Sequence, residues 1–209
     1  MYFSSTISSE SLKKARAVGW TPVEVDRIPP PSGLKVGYQY RDQYTKIQLW
    51  SMTEFKKIVY IDSDTLVLQN IDELFYLPYS FNAAKDVWTF KWDTKFNAGT
   101  LVLTPSKKVY DAMLLALSSS AVGSRAEQDF MNEFFAFRWA TLPYIYNGNL
   151  AMAKGHKSVW FNLWKEMKII HYTMWKPWQE RGSPVEPEYE LSTRLWLQEE
   201  KDMEKSLNL

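Results

Sequence analysis

The chain has 209 residues, of which 45% are hydrophobic and 23% are charged, and its formal net charge is +1. This composition predicts a globular domain with a full hydrophobic core, and the near-neutral charge argues against nucleic acid as a partner. Cysteine is absent, which excludes disulfide frameworks, thiol catalysis and cysteine-based zinc sites. Because no apolar run approaches the roughly 18 residues of a transmembrane helix and the first residues lack a signal-peptide pattern, the sequence as given predicts a cytoplasmic protein without a transmembrane segment.

Helical and extended patterns alternate along the chain, as judged from capping residues, proline and glycine positions and hydrophobic periodicity. This alternation predicts an α/β fold with a mainly parallel sheet flanked by helices, in which ligands bind beyond the carboxyl ends of the strands. In the first part of the chain the predicted elements are helix Ser8–Ala17, strand Thr21–Val25, helix Thr45–Phe55, strand Ile58–Ile61 and a short helix after Asn70. Strands at Ala83–Ala84 and Leu101–Leu103 follow, and then a helix capped by Thr104 with Pro105 at its first position. The last predicted elements are helix Glu127–Phe137, strand Lys168–Ile170 and a helical tail within 181–209.

The most informative segment runs from Lys57 to Leu68, where an apolar run ends in Asp62 and Asp64 and a second apolar run follows. Side chains at i and i+2 of a strand point to the same side, so we expect the two carboxylates to project together from the end of a buried strand. Two such carboxylates hold a hard divalent cation, which in turn neutralises a diphosphate. An isolated Asp-x-Asp triplet is usually a solvated turn, but the apolar runs on both sides favour a metal site.

Three motifs occur in one order: Asp62-Ser63-Asp64, Phe96-Asn97-Ala98-Gly99, and His171 followed by Lys176-Pro177-Trp178. This ordered set resembles the family 8 glycosyltransferases, the glycogenin-like group, and the likeness extends from about Ser8 to Trp178. The resemblance implies a GT-A nucleotide-diphospho-sugar transferase domain over 1–180. It also implies Mn²⁺, a UDP-sugar donor, a glycan or lipid acceptor, and transfer of a hexosyl group with retention of anomeric configuration.

The resemblance also assigns roles to individual residues. Asp62, Asp64 and His171 would ligate the metal, and Lys176 would contact the phosphates. The family's Asp-Gln-Gly segment corresponds to Glu127-Gln128-Asp129, so Glu127 and Gln128 would approach the transferred sugar as catalytic residues. The remaining donor-site positions, expected to contact the sugar or lie near the donor, are Lys46, Asp86, Asn97 and Gly99.

The chain departs from the family pattern in three places. The loop from His171 to Lys176 is one residue shorter than that of glycogenin and lacks its glycine, so Met174 or Trp175 must fill that space. The self-glucosylated tyrosine of glycogenin has no counterpart, its place falling near Lys154. The likeness begins after the family's first strand and helix, which predicts an N-terminally truncated domain whose exposed strand edge favours self-association. If a preceding segment is missing, the Golgi lumen is the alternative location.

Two other functions fit parts of the sequence. Phosphatases with an aspartate nucleophile also place Asp-x-Asp after an apolar strand, but their following glycine and later lysine and acidic motifs are not evident here. A catalytically inactive glycosyltransferase remnant, acting as a binding or scaffold protein, is the alternative outside enzymes. The preserved set of Asp62, Asp64 and His171 argues against this alternative, while the missing first unit supports it.

Overall fold

The computed structural model describes residues 2–3, 7–31, 37, 41–119, 126–179 and 183–207. The chain divides into two units, the first drawn from residues 1–53, 106–134 and 199–209 and the second from residues 54–105 and 135–198. Among the described residues, no helix is both long enough and apolar enough to span a membrane.

In the first unit, helices pack around a small core. Its elements are strands β1 (Tyr2–Phe3) and β2 (Val23–Glu24), which pair in parallel, α1 (Ser9–Ala17), a 3₁₀ helix (Gln43–Ser51), α2 (Lys107–Ser118) and α3 (Glu127–Phe134). Tyr44 of the 3₁₀ helix is fully buried and its ring lies 6.4 Å from that of Phe130 in α3. Met113 and Leu117, one turn apart on α2, are buried.

The beginnings of the helices follow local capping chemistry. The hydroxyl of Ser8 accepts a hydrogen bond from the N–H of Ser11 at 3.1 Å. This bond caps α1 at the residue where the sequence predicted that the helix begins. The predicted cap of α2 is wrong: Ser106, and not Thr104, accepts the N–H of Val109, at 3.4 Å. Thr104 instead donates its own N–H to the carbonyl of Ser80 at 2.9 Å, directly after the strand that ends at Leu103.

The second unit contains two sheets. The larger has the strand order β3–β6–β5–β7 and the smaller the order β4–β9–β8. The strands are β3 (Ile58–Ile61), β4 (Thr65–Val67), β5 (Phe81–Trp88), β6 (Lys91–Leu103), β7 (Ala140–Leu142), β8 (Gly148–Asn149) and β9 (Ile169–His171). The unit also contains helices α4 (Leu150–Gly155) and α5 (Lys157–Leu163) and four 3₁₀ helices (Asp72–Tyr76, Tyr144–Tyr146, Trp164–Glu166 and Pro187–Tyr189). The last helix, α6 (Glu190–Leu207), begins in residues of the second unit and ends in residues of the first. Residues 181, 182, 208 and 209 of the predicted tail lie outside the described residues.

These sheets are mixed, whereas the sequence predicted a mainly parallel sheet. The pairs β3/β6, β5/β6 and β4/β9 are antiparallel, and β5/β7 and β8/β9 are parallel. The reason is visible at the turn between β5 and β6, where only Thr89 and Phe90 connect the strands. A connection this short allows only antiparallel pairing, because a parallel pair needs a crossover of a dozen or more residues.

A close approach fixes α4 against this turn. A Cβ atom added to Gly155, the last residue of α4, would lie 1.4 Å from the carbonyl oxygen of Thr89. Glycine is therefore the residue that fits there. The core beneath this contact consists of the buried side chains Val87, Leu150, Met152, Ala153, Trp160, Met167, Ile170, Tyr172 and Tyr189.

Candidate metal centre

Asp62 and Asp64 lie where the chain leaves one sheet and enters the other. Asp62 follows the last residue of β3, and Asp64 precedes the first residue of β4. The N–H of Asp62 donates to the carbonyl of Gly99 at 2.8 Å, and the carbonyl of Asp64 accepts the N–H of Tyr172 at 2.8 Å. The sequence placed both residues at the end of one strand; they occupy a turn between two strands, which these two hydrogen bonds hold in place.

His171, the last residue of β9, faces both carboxylates. Its Nε2 lies 3.2 Å from Oδ1 of Asp64 and 3.9 Å from Oδ2 of Asp62. One ligand atom from each of the three residues falls within 4.8 Å of the others. The imidazole is 5% exposed and the carboxylates 25% and 24%, so the cluster is accessible from the carboxylate side. Two carboxylates and an imidazole form a donor set that suits Mn²⁺ and leaves coordination positions for oxygen ligands of a substrate.

Buried amides lie behind the histidine. Nδ1 of His171 lies 2.9 Å from Oδ1 of Asn147, whose Nδ2 donates to Oδ1 of Asn97 at 2.9 Å. Nδ2 of Asn97 in turn donates to Oδ1 of Asp86 at 3.1 Å. The sequence expected Asp86 and Asn97 to contact the donor sugar; in the structure both polar atoms of Asn97 take part in hydrogen bonds within the protein.

Gly99 makes room for the imidazole ring. An added Cβ would lie 2.1 Å from Cε1 of His171, 2.4 Å from its Nδ1 and 2.9 Å from Oδ1 of Asn97. The sequence expected this glycine to let the backbone approach the sugar. The contacts give it a more immediate role, because any side chain there would displace His171.

Lys176 reaches the cluster despite the shortened loop. Its ammonium group donates to the carboxylate of Asp64 and to the carbonyl of Tyr172. Trp175 turns away and stacks on Tyr189, with ring centroids 6.3 Å apart. Burial alone would raise the pKa of Asp64, but its hydrogen bonds and electrostatic interactions with His171 and Lys176 outweigh the burial and hold that pKa well below its usual value. Asp64 is therefore a carboxylate at neutral pH, as a metal ligand must be.

The other predicted residues lie in the first unit. Lys46 and Glu127 form an ion pair at 2.9 Å, and their side chains are only 6% and 4% exposed. The second carboxylate oxygen of Glu127 is buried and has no hydrogen-bond partner among the described residues. Gln128 is half-buried beside it on α3. A buried acceptor of this kind requires a hydrogen-bond donor that the described residues do not supply.

The structure thus brings the predicted residues together in two groups. One contains Asp62, Asp64, His171 and Lys176, backed by Asp86, Asn97 and Gly99, and the other contains Lys46 and Glu127. Sequence reasoning missed Asn147 as part of the site. The available signal was the polar run Asn147-Gly148-Asn149 between apolar residues, where asparagines at both ends of a buried two-residue strand need hydrogen-bond partners.

The chain is similar in sequence to known glycosyltransferases. The family model described as Glycosyl transferase family 8 matches residues 35–182. A UDP-glucuronate:xylan alpha-glucuronosyltransferase 2 of Arabidopsis thaliana is 30% identical over an alignment of 187 residues, and the match covers 83% of this chain and 29% of that protein. Glycogenin of Neurospora crassa is 34% identical over 65% of this chain and 19% of its own length. Galactinol synthase 1 of Solanum lycopersicum is 34% identical over 66% of this chain and 50% of its own length. The match therefore spans half or less of each of these relatives.

Solved structures show the fold. The glycosyltransferase GlyE of Streptococcus pneumoniae TIGR4 superposes with a TM-score of 0.65 at 19% identity, over 95% of this chain and 56% of that one. The galactosyltransferase LgtC, solved with donor and acceptor sugar analogues, gives 0.55 at 16% identity over 88% of this chain and 80% of its own. These similarities confirm the predicted GT-A fold.

Proposed function

Because the chain belongs to glycosyl transferase family 8 and is glycogenin-like, we propose that it transfers a hexosyl group from a UDP-sugar to a glycan, lipid or other acceptor. The transfer depends on Mn²⁺ and retains the configuration at the anomeric carbon. The observation that carries the proposal is the convergence of His171 with Asp62 and Asp64, whose ligand atoms lie within 4.8 Å of one another.

These three residues would hold the cation, which when bound neutralises charge on the diphosphate of the donor. Lys176 adds a positive charge at the same place, since its ammonium group already contacts Asp64. That charge would stabilise the diphosphate as it leaves the sugar. Glu127 and Gln128 are proposed to act on the transferred sugar. The Glu127 oxygen that has no partner among the described residues would accept a hydrogen bond from a sugar hydroxyl.

The relatives support the choice of substrates. The name of the Arabidopsis thaliana relative contains a UDP-sugar as donor and a glycan as acceptor. The candidate donors for this chain are UDP-glucose, UDP-galactose, UDP-glucuronate and UDP-N-acetylglucosamine. Self-glycosylation is not proposed, because the expected place of glycogenin's modified tyrosine falls near Lys154, which forms an ion pair with Glu186 at 2.7 Å.

A donor screen tests the proposal. The purified chain is incubated in Mn²⁺ with each of the four UDP-sugars and a panel of glycan and lipid acceptors to receive the hexosyl group. EDTA is the control, and released UDP is measured. We expect Mn²⁺-dependent release from at least one donor and none from the Asp64→Asn variant. A folded chain that releases UDP from none of them would contradict a transferase. Tight UDP binding without release would instead favour a binding protein descended from a transferase.

A further inference from the structure

A chain of buried hydrogen bonds runs from Asp86 through Asn97 and Asn147 to His171. We propose that this chain, here called the amide relay, is a positioning device that keeps the proton of His171 on Nδ1 and aims Nε2 at Asp62 and Asp64. Asn147, to which the sequence assigned no role, is its final member. The inference rests on the metal centre of the proposed function and concerns how that centre is held in shape.

The direction of the relay is fixed at Asn97. The backbone N–H of Gly99 donates to one side-chain atom of Asn97 at 2.9 Å, and because an N–H can only donate, that atom is the oxygen. The amide nitrogen therefore points at Oδ1 of Asp86, which also accepts the backbone N–H of Val87 at 2.9 Å. Both ends of the Asn97 amide are thus set by groups that cannot reverse their roles.

Asn147 transmits this direction to the histidine. The atom facing the oxygen of Asn97, at 2.9 Å, is the Asn147 amide nitrogen, so the Asn147 oxygen faces Nδ1 of His171. A carbonyl oxygen only accepts, and Nδ1 must therefore carry the hydrogen. A histidine that ligates a metal is neutral, and with the hydrogen on Nδ1 its lone pair belongs to Nε2, the nitrogen 3.2 Å from Asp64.

Packing keeps the relay intact. Asn147 is 1% exposed, Asp86 5% and Asn97 8%, so water does not compete effectively for these bonds. Gly99 lies so close to the imidazole that even a methyl group would collide with it, which leaves the ring little freedom to turn. Hydrogen bonds of this kind to the second nitrogen of a ligating histidine typically contribute roughly 10–100-fold to metal affinity.

Asn149 offers a matched control within the same network. It is 4% exposed and donates to the same oxygen of Asp86 at 3.4 Å. Its own oxygen, however, accepts the N–H of Ala151 at 2.9 Å, capping α4, and the hydroxyl of Thr173 at 2.5 Å. Loss of this side chain should therefore cost stability without removing the hydrogen bond to His171.

The test is a titration with Mn²⁺ followed by electron paramagnetic resonance of the free ion, combined with thermal unfolding of each variant. Asn147→Ala is expected to weaken Mn²⁺ binding by about 10–100-fold. Asn147→Asp keeps an oxygen toward Nδ1 and should bind Mn²⁺ more tightly than Asn147→Ala. Asn149→Ala should unfold at a lower temperature than the wild type and bind Mn²⁺ within about twofold of it.

A folded Asn147→Ala variant that binds Mn²⁺ as tightly as the wild type would overturn the relay. Equal losses of Mn²⁺ affinity in the Asn147→Ala and Asn149→Ala variants would also overturn it. If Asn147→Ala does not fold, nitrogen NMR of the wild type with bound diamagnetic Zn²⁺ shows which imidazole nitrogen of His171 carries the proton. The chain has only two histidines, His156 and His171, so the signals are readily assigned. Zn²⁺ on Nε2 with a proton on Nδ1 supports the relay, and the reverse overturns it. A wild-type chain that binds no Mn²⁺ would instead contradict the proposed metal centre, on which the relay rests.

Discussion

Strand β9 has a cluster of acidic and basic side chains at each end, and the two clusters differ in what they can bind. At its start, Lys168 and the hydroxyl of Tyr146, the latter at 2.7 Å, both contact one carboxylate oxygen of Glu73; we call this the Glu73 cluster. At its end, His171 faces Asp62 and Asp64 in the metal centre. The pKa of Glu73 is lowered to about 2, and the pKa of Asp64 is lowered as well.

The difference lies in the balance of donors and acceptors. Glu73 is a single carboxylate that receives hydrogen bonds from a lysine and a tyrosine, and it is 43% exposed. The metal centre has two carboxylates, an imidazole and a buried amide chain behind that imidazole. A lowered pKa is thus common to a surface ion pair and a candidate metal site. The surplus of ligand atoms aimed at one point distinguishes the second from the first.

The largest expected effect is on Mn²⁺ affinity, when a carboxylate is neutralised in the metal centre and not in the Glu73 cluster. Asp64→Asn should weaken Mn²⁺ binding by more than about 100-fold, because it removes a ligand where loss of a supporting contact already costs roughly 10–100-fold. Glu73→Gln, the matched change in the Glu73 cluster, should leave Mn²⁺ affinity unchanged. Calorimetric titration of Mn²⁺ into both variants measures this. Equal affinities of the two variants would break the distinction between the clusters.

A methyl group added beside the imidazole should have the next largest effect. Gly99→Ala places a Cβ within 2.4 Å of two ring atoms of His171, which must move. We expect Mn²⁺ affinity to fall by about tenfold or more and the free energy of unfolding to fall by about 1–3 kcal/mol. Titration and urea unfolding report the two quantities. Unchanged Mn²⁺ binding would show that the position of the ring does not matter for the metal.

The lysines of the two clusters should differ in their effect on UDP binding. Lys176→Met should weaken binding of UDP in the presence of Mn²⁺ by about tenfold, the value of one charged hydrogen bond of ~1.4 kcal/mol. Binding of Mn²⁺ alone should stay the same or become tighter, because Asp64 loses a competing cation. Lys168→Met removes the lysine of the Glu73 cluster and should change neither quantity. A loss of Mn²⁺ affinity in the Lys176 variant would assign that lysine a structural role.

The smallest effect is the pH dependence of the Glu73 cluster. Hydrogen bonds from Lys168 and Tyr146 lower the pKa of Glu73 from 4.5 to about 2. A carboxylate with a lowered pKa stabilises the fold above its unfolded pKa and loses that contribution as pH falls toward the folded value. The difference in free energy of unfolding between wild type and Glu73→Gln should be constant near neutrality and shrink between pH 4.5 and about 2. A difference that persists at pH 2 would contradict this assignment; exposure keeps it small throughout.

The three residues that converge in the candidate metal centre could be singled out from the sequence because they lie in short, recognisable motifs. Strand β3 begins and ends where its apolar run does, at Ile58 and Ile61, and the two aspartates follow. The antiparallel pairing of β5 with β6 was missed, since Thr89 and Phe90 carry none of the glycine or asparagine that marks a tight hairpin. Strand β8 was missed because two residues are too few to show a period.

The supporting residues were harder to foresee for a physical reason. Asn147 is 24 positions from His171 and 50 from Asn97, and only the pairing of β8 with β9 brings it to the imidazole. No local pattern encodes such a contact. The same holds for Gly99, which the sequence placed beside a sugar and the fold places against a histidine ring.

The most direct test of the central claim is a calorimetric titration of UDP into the purified chain, first with Mn²⁺ and then with EDTA. The metal centre formed by Asp62, Asp64 and His171 predicts micromolar binding, roughly −8 kcal/mol, that disappears when the metal is removed. Binding of equal strength in EDTA, or no binding to a well-folded sample in Mn²⁺, would contradict it.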